Sequence, residues 1–155
     1  MAQQSQLLTQ FFASVDEFNN CKSAADYRNL AKYYDPDAQL YEVDPDPKTG
    51  VRPRHDGRHG IITYLAKTQP ARLPRFWPAL PVTETPANSD TATNASLDGT
   101  ATYFDCTTNP PAPDPNHPGQ LLSNQPFTIS FHFEFTRPTT ASDWLVTKGN
   151  GKKIL

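Results

Sequence analysis

Residues 126–136 read Pro-Phe-Thr-Ile-Ser-Phe-His-Phe-Glu-Phe-Thr. The odd positions Phe127, Ile129, Phe131, Phe133 and Phe135 are apolar, and the even positions Thr128, Ser130, His132, Glu134 and Thr136 are polar. Side chains of a strand alternate between two faces, so this period of two predicts a strand with one face under apolar cover and the other bare of it. An all-helical fold is thereby excluded.

On its C-terminal side, residues 143–148 add a final short strand. On its N-terminal side, residues 109–119 hold Pro110, Pro111, Pro113, Pro115 and Pro118, which predicts an extended surface loop. Before that loop, residues 91–97 and 100–106 flank Asp98-Gly99, a hairpin-turn dipeptide, and read as two paired strands. Shorter strand-like pieces lie at 75–77 and at 80–85, the second interrupted by Pro81 and hence an edge or a bulge. Helical spacing governs the N-terminal third: Leu7, Leu8, Phe11, Phe12, Val15 and Phe18 make one broad apolar face over residues 5–19. Ser23 is an N-cap for a second helix, with Asp26 where a carboxylate favours the helix start. Tyr27, Leu30, Ala31 and Tyr34 are its apolar side, and Asp35-Pro36 ends it. A strand over 38–43, a turn-rich loop over 44–50 and a third helix complete the chain; that helix runs from near Gly57 to Pro70 and is expected to turn Ile61, Ile62, Leu65 and Thr68 inward. Helices first, then a strand, a helix and an antiparallel run predict an α+β fold with helices packed on one face of a curved sheet.

The 155 residues suit a single domain over 1–155, able to bury about 70% of the surface its unfolded chain exposes. With 14 Lys+Arg against 16 Asp+Glu, the net charge of -2 lacks the basic surplus of a nucleic-acid binder. Nine Phe, six Tyr and two Trp supply core material, and 16 Pro disfavour long helices and coiled coils. No apolar run approaches the ~20 residues of a membrane span. The N-terminal apolar stretch carries Asp16 and Glu17 and no basic start, so it does not read as a signal peptide and a cytoplasmic location is expected. Cys21 and Cys106 are then expected as reduced thiols, and the sequon at Asn94-Ala95-Ser96 as silent. His55 and His59 lie four apart but straddle a loop-to-helix boundary with Gly57 between them, so no zinc site is expected there. A Gly-rich phosphate loop, a G-x-S-x-G elbow and a paired-cysteine metal motif are all lacking, and no cofactor is expected.

The run Leu30-Ala31-Lys32-Tyr33-Tyr34-Asp35-Pro36-Asp37-Ala38-Gln39-Leu40-Tyr41-Glu42 resembles the helix-to-strand passage of the nuclear transport factor 2-like superfamily. That superfamily includes ketosteroid isomerases, SnoaL-like polyketide cyclases, scytalone dehydratase and limonene epoxide hydrolase. His55-Asp56-Gly57-Arg58-His59-Gly60-Ile61-Ile62 resembles its "GR-x-x-I" approach to the third helix, in which Arg58 serves the turn, and Phe131-His132-Phe133-Glu134-Phe135 is similar to its penultimate strand. The resemblance implies a cystatin-like fold: a cone-shaped, strongly curved, mostly antiparallel sheet with the N-terminal helices packed on its concave face. It also implies a hydrophobic pocket inside the cone and a homodimer. The same architecture serves enzymes and non-catalytic modules, so function has to be argued from the site.

Carried over by position, the isomerase pattern puts its catalytic carboxylate at Glu42. A carboxylate pointing into an apolar cone has its charged form disfavoured and can shuttle protons near neutral pH. Phe131 stands where an isomerase carries its protonated acid, and the first helix has no Tyr, so the steroid-type oxyanion hole is not expected. His132 and Glu134 share the polar face of their strand; they pair with Glu42 if that face lines the cavity and meet solvent or a partner subunit if it does not, the outer face being the one the resemblance favours. On the preceding strand Tyr103 and Asp105 lie on one side and Phe104 on the other, with either side free to face inward. Trp77 and Phe131 read as pocket wall or core, Tyr27 as a substrate contact or core, and Arg28 as a surface residue or an anchor for an oxygenated substrate.

With these residues, the resemblance implies a cofactor-independent isomerase, cyclase or dehydratase acting by general acid–base catalysis on a hydrophobic polycyclic or polyketide-like small molecule of secondary metabolism. The Pro-rich loop is placed over the pocket mouth. The alternative is a non-catalytic small-molecule-binding or dimerisation module of the same fold, with a protein adaptor of the nuclear-transport kind third. Neither nucleic acid nor membrane is expected as a partner.

Overall fold

The computed structural model describes residues 4–43, 48–106 and 126–153. The Pro-rich segment 109–119, expected over the pocket mouth, lies outside the described residues. Helix α1 (Gln6–Asn20) begins at Ser5, whose hydroxyl accepts the Leu8 N–H at 3.2 Å. Helix α2 (Ala24–Arg28) carries a full capping box, Ser23 accepting from the Asp26 N–H while the Asp26 carboxylate accepts from the Ser23 N–H. It is shorter than its apolar pattern predicts, because the chain tightens into a 3-10 turn (Asn29–Tyr33) that leads straight into strand β1 (Tyr34–Tyr41). Asp35-Pro36 therefore lies inside a strand, where the pairing of β1 is irregular between Tyr34 and Gln39.

A three-residue strand β2 (Arg54–Asp56) pairs antiparallel with β1 and was not legible, being too short and polar to show alternation. Helix α3 (Gly57–Arg72) starts on Gly57 at φ +80, a left-handed conformation that glycine adopts without strain. Arg58 ties this start to the end of the 3-10 turn, its Nε donating to the Tyr34 carbonyl at 2.8 Å. The helix runs two residues past Pro70 and closes when the Leu73 N–H reaches the Gln69 carbonyl at 2.7 Å.

Strands β3 (Pro74–Pro78), β4 (Thr83–Thr85), β5 (Asn94–Asp105), β6 (Phe127–Thr136) and β7 (Leu145–Lys153) complete a mixed open sheet of order β2-β1-β7-β6-β5-β3, with β4 also paired to β5. Only β1 and β7 run parallel among the described pairs. The fold class is as the alternation and element order predict. The hairpin at Asp98-Gly99 is not: β5 is one continuous strand, with Asp98 opposite His132 and Gly99 opposite Phe131. A β-carbon at Gly99 would lie 2.9 Å from the Phe131 ring, so this glycine makes room for an aromatic ring and does not turn the chain.

The odd residues of β6 face the helices. Phe131 stacks on Phe11 of α1 at 5.8 Å and meets Phe76 of β3 edge-on at 5.4 Å. Such ring pairs add about 0.5–1.5 kcal/mol each beyond area burial, which fixes α1 on the sheet. A second cluster of Cys21, Tyr27, Leu30, Ala38, Ile61 and Leu65 locks α2 and α3 onto β1. Phe18 touches both clusters. At the sheet edge, Asn19 of α1 pairs with both backbone groups of Phe76, at 2.7 and 2.8 Å, and so covers β3. No helix among the described residues is long and apolar enough to cross a membrane.

Candidate active site

Between the two clusters lies a cavity of about 170 Å³. Its walls come from α1 through Phe11, Val15 and Phe18, from α3 through Tyr64, Leu65 and Gln69, and from the sheet through Ile129, Phe131 and Phe133. The position of Glu42, one residue past β1, brings it to this cavity with Leu40, two residues before it. The Glu42 N–H donates to the Pro53 carbonyl at 2.9 Å, which fixes the backbone where β1 leaves the sheet.

The carboxylate of Glu42 has a partner. His55 Nε2 lies 2.9 Å from Glu42 Oε2, and each side chain is 25% exposed. Strand β2 pairs His55 with Leu40 and so sets the imidazole beside the carboxylate. The imidazole stacks on Tyr64 with ring centroids 3.9 Å apart and planes 15° from parallel, so α3 holds it in place. Burial, then the Glu42 charge, push the Tyr64 phenol up to about 12, which keeps it protonated as a neutral donor. A carboxylate on a cavity wall, one oxygen held by an imidazole, has its other oxygen available to take up or return a proton.

The structure brings Glu42, Tyr103 and Phe131 to the cavity. It separates the other candidates from it. His132 and Glu134 lie on the outer face of β6, where His132 Nδ1 meets Asp98 Oδ1 at 2.6 Å, its Nε2 meets Glu134 at 3.4 Å, and Glu134 meets Lys148 at 3.9 Å. The alternation of β6 that turns Phe131 and Phe133 inward necessarily turns these two outward. Asp105 shares the inward side of β5 with Tyr103 but is engaged by Arg72 of α3, whose Nε and Nη2 donate to Oδ2 at 2.9 and 2.8 Å. Phe104 takes the opposite side and packs edge-on against Trp77 at 4.9 Å, and Trp77 is 54% exposed. Tyr27 is buried in the second cluster, and Arg28 is exposed on the last turn of α2. His59 is exposed on the first turn of α3.

Sequence reasoning missed His55 as a carboxylate partner, and missed Tyr64 and Gln69 altogether. One signal for Gln69 was present: Ile61, Leu65 and Gln69 stand at steps of four on one helix face, and all three are buried.

A curved open sheet with helices over its concave face and a cavity between them defines the nuclear transport factor 2-like, cystatin-like fold, and solved structures of that fold superpose on the chain. A protein described as a dehydratase of the NTF2-like family from Streptomyces avermitilis matches with a TM-score of 0.60 and 15% identity over 96% of this chain and 97% of that one. A protein described as a polyketide cyclase from Xanthomonas campestris pv. campestris matches with a TM-score of 0.52 and 14% identity over 95% and 89%. The yeast UBP3-associated protein BRE5 matches with a TM-score of 0.60 and 11% identity over 96% and 94%. No protein-family model and no curated sequence matches the chain. At these identities the likeness establishes the fold.

Proposed function

We propose that the protein is a cofactor-independent enzyme that moves a proton on a hydrophobic small molecule, in an isomerisation, cyclisation or dehydration. One observation carries this reading: Glu42 lines an otherwise largely apolar cavity, and its carboxylate is held by His55. Glu42 is the general base, His55 positions it, and the Tyr64 phenol is a neutral donor beside them. The dehydratase and cyclase descriptions of two fold neighbours agree with this chemistry. The cavity volume narrows the substrate. An apolar cavity of about 150 Å³ is enough to admit benzene, so about 170 Å³ suits a compact ligand of one or two rings better than a tetracycle. The expected setting remains cytoplasmic secondary metabolism.

Incubation with 2-tetralone in D2O tests the reading without the natural substrate, since this two-ring ketone has acidic C–H bonds beside its carbonyl. Loss of those proton signals faster than in buffer supports base catalysis. Saturable binding with exchange at the buffer rate supports the non-catalytic binding module instead.

The assembly proposed is a homodimer through the outer face of the sheet. Thr128, Ser130, His132 and Glu134 of β6 line up there, and Asp98 and Lys148 add charges of both signs. A face of mixed polarity and low net charge suits pairing with a second copy.

A further inference from the structure

Gln69 is 3% exposed and lines the cavity, yet its Oε1 has no hydrogen-bond partner among the described residues. Buried side-chain amides are ordinarily satisfied, because an orphaned acceptor forfeits its hydration and gains nothing back. The neighbouring bonds fix which end of the amide is which. Thr68 Oγ1 donates its single proton to the Tyr64 carbonyl at 2.8 Å, so it can only accept from Gln69, whose Nε2 lies 3.0 Å away. The amide nitrogen thus serves Thr68 and the Tyr64 phenol, and the carbonyl oxygen is left without a partner at the cavity wall.

We infer that Gln69 is a specificity-determining residue of this cavity, its carbonyl oxygen accepting a hydrogen bond from a hydroxyl or N–H group of the bound ligand. The ligand class is then a compact, one- or two-ring molecule with one such donor on an otherwise apolar frame. Meeting the donor takes a rotation about the soft terminal torsion of the side chain. The inference rests on reading the cavity as a small-molecule site and concerns binding alone, so it holds whether or not Glu42 transfers a proton.

Indole and indene test it, since they share a two-ring frame and only indole carries an N–H. The purified protein is expected to bind indole about tenfold more tightly than indene, the size expected when a ligand satisfies a buried acceptor. Indole, and not indene, is expected to shift the side-chain amide signals of Gln69 in the NMR spectrum. Gln69→Met, of similar length and without the acceptor, is expected to bring the ratio close to one and to raise Tm. Equal binding of the two by the unaltered protein overturns the proposal, and so does an indole preference that survives Gln69→Met. The Gln69 signals staying fixed with both compounds at millimolar concentration overturns it as well, and that readout needs no variant.

Discussion

Single side chains here take their chemistry from what surrounds them more than from their type. Cys21 is buried at the turn between α1 and α2, with Sγ 3.2 Å from the Glu17 carbonyl. Burial first, then the charges of Asp26 and Glu17, push its thiol up to about 11. A raised value means that the folded state keeps a proton the unfolded chain releases. The stabilising contribution of Cys21 is therefore complete below the ordinary thiol range and lost as pH climbs toward about 11. At pH 8 iodoacetamide is expected to label the exposed Cys106 and to leave Cys21 untouched until the chain unfolds. Peptide mapping by mass spectrometry checks this; rapid labelling of Cys21 in the native protein would contradict it. Glu42 was legible from sequence because a strand position and a resemblance both marked it. His55 was not, because its role depends on a three-residue strand whose only signature is its pairing with β1.

At the scale of elements, legibility followed the length and regularity of the pattern. Strand β6 could be read from its alternation alone, since ten residues of period two leave no other conformation that buries the apolar set. Asp98-Gly99 is chemically a turn signal that divides β5 when the sequence is read alone, whereas the local demand at Gly99 is for space. Phe131 occupies that space and is itself packed by Phe11 and Phe76. Gly99→Ala is accordingly expected to destabilise the fold by about 1–3 kcal/mol, the usual size of overpacking in a tight core. Urea unfolding checks it, and an unchanged midpoint would mean that the ring gives way freely. Helix α3 outlasts the stop that Pro70 signals for a related reason: Pro70 removes one helix hydrogen bond, but its neighbours continue for two residues until Leu73 closes the turn.

The whole molecule is an open sheet whose two faces have different work. The inner face closes a cavity under α1, α3 and the 3-10 turn, and the outer face carries the ladder of Asp98, His132, Glu134 and Lys148. Equilibrium sedimentation at micromolar concentration is expected to give the mass of a dimer; the 17.3 kDa of one chain would count against the proposed interface. The fold alone leaves function open, since chains described as a dehydratase, a cyclase and an associated protein share it at 11–15% identity. The proposed function therefore rests on Glu42 at the cavity wall. Its most direct test is Glu42→Gln in the 2-tetralone exchange assay, because the amide keeps the shape and cannot take the proton. The variant is expected to bind 2-tetralone as the unaltered protein does and to exchange its C–H protons slower by a factor of roughly 10²–10⁴. Exchange by the Glu42→Gln variant at the unaltered rate would contradict the account.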